Sequence, residues 1–162
     1  MELRNNNLLI RYATKNDAEI LCKWWNDGKI MAHAGFPNGI NTTVEEIERQ
    51  LSEETNETTR RFIIEINDEP SGEMNYRNKG NNIAEIGIKI CDFNKQEKGY
   101  GTVLLNMFIE YLFNKLDYEK IILDTKLNNK RAQHVYKKIG FTETGMDENA
   151  IYYELLKKNI GK

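Results

Sequence analysis

The first block of apolar residues, Leu8-Leu9-Ile10-Arg11-Tyr12, is short and predicts a strand over residues 8–12. The period then changes. Ala18, Leu21, Cys22 and Trp25 recur at i, i+3, i+4 and i+7, the stripe of an amphipathic helix, and Thr14 three residues before Asp17 gives it a capping-box start. Asn26-Asp27-Gly28 stops that helix, and Gly35, Pro37 and Gly39 mark a loop. Thr43 and Glu46 form a second capping box ahead of Val44, Ile47 and Leu51, a short helix with an acidic outer face. Residues 61–66 read as a strand, 68–70 as a turn, 71–77 as its hairpin partner, 78–82 as a second turn and 83–91 as another strand. Ile86, Ile88 and Ile90 alternate, with Ile83 out of phase; a bulge, an edge or a strand start each explains the break. Residues 101–116 read as a long helix with Leu104, Phe108, Tyr111 and Leu112 on one face. Residues 120–124 form a continuous apolar strand of the kind buried in a parallel position. Ala132, Val135, Tyr136 and Ile139 stripe a helix over 129–139 that Gly140 closes, and 141–145 and 151–156 are two final strands. The order β-α-α-β-β-β-α-β-α-β-β predicts an α/β domain with a central mixed sheet flanked by helices.

With 162 residues the chain is expected to be a single domain, 1–162. A net charge of −2 excludes a nucleic-acid binder that works by bulk positive charge. Cys22 and Cys91 form no CxxC or metal-ligand spacing and fit a reducing compartment. No apolar run approaches the roughly 20 residues of a membrane span, and the first residues lack the apolar stretch of a signal peptide. The expectation is a cytoplasmic protein with no membrane or nucleic-acid partner.

Two stretches carry chemistry. Gln96-Glu97-Lys98-Gly99-Tyr100-Gly101-Thr102 follows a strand and opens the long helix. Two glycines two apart permit a tight turn and close approach of a ligand. The N–H groups at the helix start and Lys98 favour an anion such as a pyrophosphate, although a plain turn explains the glycines equally well. The second stretch runs from Asn129 to Phe141. Taken alone, Asn129 is a helix N-cap and Tyr136 a core residue on the inner face.

Read together, Gln-x-x-Gly-x-Gly about thirty residues ahead of Asn-x-x-Ala-x-x-x-Tyr-x-Lys-x-Gly-Phe resembles the GNAT superfamily of acetyl-CoA-dependent N-acetyltransferases. The motifs cover roughly residues 83–142, and the element order extends the likeness to the whole chain. The first half looks most like the ribosomal-protein N-acetyltransferase branch, and the latter half also resembles aminoglycoside 6′-acetyltransferases. The resemblance implies a single-domain acyl-CoA N-acyltransferase fold with a mostly antiparallel mixed sheet. It also implies transfer of acetyl from acetyl-CoA to a primary amine by direct attack in a ternary complex. Gln96, Glu97, Lys98, Gly99, Tyr100, Gly101 and Thr102 would hold the pyrophosphate. The end of the preceding strand, with Ile88, Ile90 and Cys91, would pair with the pantetheine arm where a bulge splays it from the next strand. Asn129 would hydrogen-bond the pantetheine, and Tyr136 would protonate the departing thiolate. Glu97 departs from the pattern, since many members carry glycine there, and its carboxylate is unfavourable near phosphate unless it points to solvent.

Acyl transfer to an amine also needs a base, and Glu85, on the central strand, is the candidate; a salt-bridged strand residue is the bland reading. Cys91 lacks a positioned base, which argues against a covalent route. Trp24, His33 and Phe36 are candidates for the acceptor side, with core cover and a loop role as the bland readings. No metal is expected. The acceptor stays open among a protein N-terminus, a polyamine, an aminoglycoside and another small amine. A homodimer is compatible with the resemblance, and a catalytically silent acyl-CoA-binding module is the rival reading.

Overall fold

A computed structural model of the chain describes residues 1–160. In chain order the elements are β1 (Glu2–Asn5), β2 (Leu8–Tyr12), α1 (Ala18–Trp25), α2 (Gly28–Met31), α3 (Val44–Ser52), β3 (Thr59–Ile66), β4 (Glu69–Gly80), β5 (Ile83–Ile90), α4 (Tyr100–Asn114), β6 (Lys120–Lys126), α5 (Lys130–Ile139), β7 (Thr142–Met146) and β8 (Ala150–Leu156). The strands hydrogen-bond as one sheet in the order β1-β2-β3-β4-β5-β6-β8-β7. The sheet is mixed: β1–β2, β2–β3, β6–β8 and β7–β8 are antiparallel, while β5–β6 is parallel. The backbone clusters into two compact units, one of Met1–Met74 with Lys89–Phe93, the other of Asn75–Ile88 with everything from Asn94 onward.

The first unit holds two elements that the hydrophobic pattern does not show. β1 pairs Glu2 with Arg11 and Asn5 with Leu8, so the asparagine cluster is a hairpin turn, with Asn6 at φ 55°. Helix α2 starts directly after the stop signal of α1, because the Asp27 carboxylate accepts the Lys29 N–H at 2.9 Å. Gly28 is needed there: a Cβ would lie 2.0 Å from the Pro37 carbonyl oxygen. The capping box at Thr14 is present, with its N–H donating to Asp17 Oδ2 at 2.8 Å. Arg11 then clamps Asp17 through both Nη atoms (2.8 and 2.9 Å) and Glu65 through Nε (2.6 Å). The core gathers Ala18, Leu21, Trp24, Trp25, Met31, Ile47, Ile63 and Cys91. Both adjacent tryptophans, Trp24 and Trp25, are buried, while Cys22 is half-buried.

In the second unit a two-residue turn, Asn81-Asn82 at φ 55° and 62°, joins β4 to β5, so the strands run longer than their apolar cores. Ile83 is the first residue of β5, and Ala84 and Ile86 are the buried ones, so the phase break is a strand start. Helix α4 buries Leu104, Leu105, Phe108, Ile109, Tyr111, Leu112 and Phe113. Aromatic contacts fill the rest: Tyr76 meets Phe108 and Tyr118 with ring centroids 6.4 and 5.8 Å apart.

Candidate active site

The site in the second unit begins where two parallel strands part. The β5–β6 ladder joins Ile83 to Lys120, Ala84 to Ile121 and Glu85 to Ile122, and ends there. Both strands continue, and β6 stays paired on its far side with β8 as far as Lys126–Ala150. A parted parallel pair presents backbone polar groups that an extended amide chain can match.

The loop before α4 supplies the second component. Glu97 lies at φ 60° and Gly99, the N-cap of α4, at φ 81°. Gly99 offers no side-chain cap to this fifteen-residue helix, whose start is the positive end of its dipole. A Cβ placed on Gly99 or Gly101 would meet nothing within 4 Å, so the space above the helix start is open. Lys98 is exposed beside it, and Gln96 and Tyr100 are half-buried. The Glu97 carboxylate turns to Arg131, with Oε1 2.7 Å from Nη2.

Helix α5 brings the third. Asn129 caps it, with its side-chain oxygen accepting the Ala132 N–H at 3.2 Å. Gln133, which the pattern does not single out, is buried because its Nε2 donates to the carbonyls of Lys126 and Leu127, which fixes the turn into the helix. Tyr136 is buried, with its ring against Phe141 (5.9 Å) and edge-on to Tyr153 (5.6 Å). Burial, with Asp124 and Tyr153 nearby, pushes its phenol up to about 12. His134 is exposed.

The electrostatics around Tyr136 involve residues that sequence reasoning passes over. Asp124 lies opposite Tyr152 in the β6–β8 ladder. Crowding of its carboxyl, then Glu85 and then Asp147, raise its pKa. Asp147 is held low by the Tyr152 hydroxyl (2.6 Å) and the Asn149 and Ala150 N–H groups (2.8 and 2.9 Å), so it stays ionised. Glu85 pairs loosely with Arg77 at 3.4 Å. On β5, Gly87 leaves room for Asn75, whose Oδ1 lies 2.6 Å from where a Cβ would stand. One signal could have found Asp124: it is the charged residue that ends an apolar parallel strand, the end at which open sheets bind ligands.

The remaining predicted residues lie in the first unit, apart from Ile88, half-buried on β5, and Thr102, half-buried on α4, both in the second. The N–H groups of Cys91 and Asp92 both donate to the Ser71 carbonyl, at 2.7 and 3.1 Å, which is the two-on-one pattern of a β-bulge just past Ile90. Gly72 permits it, since a Cβ would fall 2.2 Å from the Lys89 carbonyl oxygen. Burial, then Glu73, push the Cys91 thiol far above its ordinary value, which leaves no thiolate for covalent chemistry. Trp24 is buried in the core of the first unit, while His33 and Phe36 are exposed. Also missed is Glu73, buried and held by Arg61 Nη1 (2.7 Å) and Trp25 Nε1 (2.5 Å), with the guanidinium 4.6 Å above the Trp25 ring.

Among the described residues no group of three or more His, Cys, Asp or Glu could hold a metal ion, and no helix is long and apolar enough to cross a membrane.

An aminoglycoside N(6′)-acetyltransferase type 1 of Klebsiella pneumoniae is 28% identical over 165 residues, covering 91% of this chain and 82% of that protein. A spermidine N(1)-acetyltransferase of Vibrio cholerae is 28% identical over 148 residues, covering 87% and 82%. Among solved structures, the fold matches spermidine N-acetyltransferase from Vibrio cholerae in complex with CoA and spermine with a TM-score of 0.83, at 22% identity over 95% of this chain and 98% of that one. It matches the aminoglycoside acetyltransferase AAC(6′)-Ib in complex with coenzyme A with a TM-score of 0.77, at 24% identity over 93% and 95%. The family model of the acetyltransferase (GNAT) domain matches residues 7–142, and the chain belongs to that family.

Proposed function

We propose that the whole chain is one N-acetyltransferase domain that moves acetyl from acetyl-CoA to a primary amine of a polycationic small molecule, a polyamine or an aminoglycoside. The observation that carries the choice of acceptor is Asp124, which stands on β6 beyond the last β5–β6 pair, with the acids Glu85 and Asp147 acting on it as like charges. Such a group is relieved by a cation, and a protein N-terminus brings only one. The named activities of the two relatives agree with this choice.

The residues fit the cofactor. The open start of α4 with Lys98 suits a pyrophosphate, and the parted strands suit an amide-bearing arm. Because the Asn129 oxygen serves the α5 cap, the hydrogen bond to the pantetheine falls to its Nδ2. When bound, acetyl-CoA supplies the thioester that the amine attacks directly. Backbone N–H groups along the parted strand stabilise charge at the carbonyl oxygen. A base must first take a proton from the ammonium. Asp124, which lies past the last pair of the β5–β6 ladder and whose pKa is raised, is the candidate we favour for this role. Tyr136 remains a phenol throughout. Held near 12, it is a weaker acid than a thiol of about 8.5, and complete transfer of its proton to sulfur is uphill by roughly 5 kcal/mol. Its role is therefore to donate a hydrogen bond to the departing sulfur, and the protons released at the amine complete the balance.

The test is thermal unfolding with and without acetyl-CoA, beside thiol release over polyamines, aminoglycosides and neutral peptide N-termini. Cofactor at about 100 times its Kd adds roughly 2.7 kcal/mol, and release follows the polycations only. Stabilisation with no release on any amine favours a silent acyl-CoA binder. No stabilisation at saturation overturns the reading.

A further inference from the structure

The loop before α4 contains a carboxylate that its backbone disfavours and its surroundings explain. Glu97 occupies the left-handed region at φ 60°, which side chains rarely adopt, and its carboxylate meets Arg131 at 2.7 Å. Arg131 stands in the first turn of α5 next to Lys130, and that turn contains no acid. Two cations at the positive end of a helix oppose its dipole, so α5 alone gives no reason for Arg131. Both partners are mostly exposed, 54% for Arg131 and 71% for Glu97, so the pair contributes little to holding the fold together. Its consequence is electrostatic. Paired, Glu97 and Arg131 cancel beside Lys98; without Arg131 an uncompensated negative charge is left in the loop, and without the Glu97 charge an uncompensated positive one.

We propose that Arg131 is the counter-ion that makes a carboxylate tolerable in this loop, and that Glu97 thereby holds down the affinity for the phosphates of coenzyme A. The inference rests on reading the loop as the phosphate site. In the ion pair the carboxylate is turned aside and screened. With Arg131 gone it faces the incoming phosphates. Arg131 is thus a positioning residue that acts through Glu97. Long-range charge alone would make the loss of Arg131 cost the same whether or not Glu97 is ionised; direct pairing makes it cost more when Glu97 is present.

The experiment is calorimetric binding of acetyl-CoA to wild type, E97Q, R131Q and E97Q/R131Q at low and high salt. R131Q weakens binding roughly tenfold in the wild-type background but only about twofold in the E97Q background, a coupling of the size expected for contacting residues. E97Q alone tightens binding, R131K restores most of the R131Q loss, and all differences shrink in high salt. Equal losses from R131Q in both backgrounds, or weaker binding by E97Q, overturn the inference and leave the phosphate loop intact. A wild type that does not bind acetyl-CoA overturns the proposed function and this inference together.

Discussion

Glu73 on β4 and Asp124 on β6 are carboxylates on strands of the same sheet, held in opposite ways. Glu73 is buried with a guanidinium on one oxygen and an indole N–H on the other, and the guanidinium stacks on that indole. Each of its two oxygens is bonded within the first unit. Asp124 is acted on by Glu85 and Asp147, both negative, and sits close enough to Tyr136 to raise its phenol. A carboxylate with its cation built in serves the fold, whereas one set among acids is, in the proposed function, left for a cation that arrives from solution. Removing either tests that division, because the penalties fall on different quantities.

The largest effect is expected from Glu73→Ala. It leaves Arg61 and the Trp25 N–H without their partner and costs about 3–5 kcal/mol, roughly 10 °C or more in Tm, measurable by urea and thermal unfolding. A loss under 1 kcal/mol would erase the contrast. Next comes Tyr136→Phe, where kcat falls about 100-fold or more while acetyl-CoA binding stays within about twofold, as single-turnover kinetics beside calorimetry will show. Asp124→Asn sharpens the comparison directly: kcat falls about 100-fold with loss of the base and KM for a polycationic acceptor rises roughly tenfold at low salt, while unfolding stability does not fall. A drop in stability instead would place Asp124 with Glu73.

The smallest effect is in pH. Burial alone would raise Asp17, but the Arg11 fork and the Thr14 N–H outweigh it and hold the carboxyl below its ordinary value. The stability it contributes is present above the unfolded value of about 3.9 and is lost as pH falls through the lowered folded value. Asp124 is raised, so its contribution is present below about 3.9 and is lost as pH rises through the raised folded value. Urea midpoints from pH 3 to 7 should therefore show Asp17→Asn flattening the acid limb. Asp124→Asn should remove a loss of stability that sets in above it.

Those two pairings also mark how far the sequence was legible. Period and capping showed the strands and helices that bury one face, because burial imposes a period: α1, α3, α4, α5 and the parallel β6 lie where the spacing predicts. The misses were elements with no buried stripe. β1 has no buried residue, and α2 is a single turn nucleated by an aspartate. The Gly99–Gly101 spacing and the Asn129–Tyr136 spacing are local and could be read directly. Asp147 and Glu73 could not, and Asp124 only as the charged end of an apolar strand, because a carboxylate's meaning depends on which charges the sheet brings beside it, and the ladder that sets Asp124 against Tyr152 joins residues 28 apart.

The ends of the strand order have a consequence of another kind. The sheet terminates in β1 and β7, which are only four and five residues long. β7 is exposed along its whole length and slips register between Glu143 and Gly145, while β1 carries Glu2 and Arg4. A margin that is brief, charged or kinked is a poor template for a foreign strand, so an eight-stranded sheet of this kind resists growing by edge addition into fibrils even in a crowded solution.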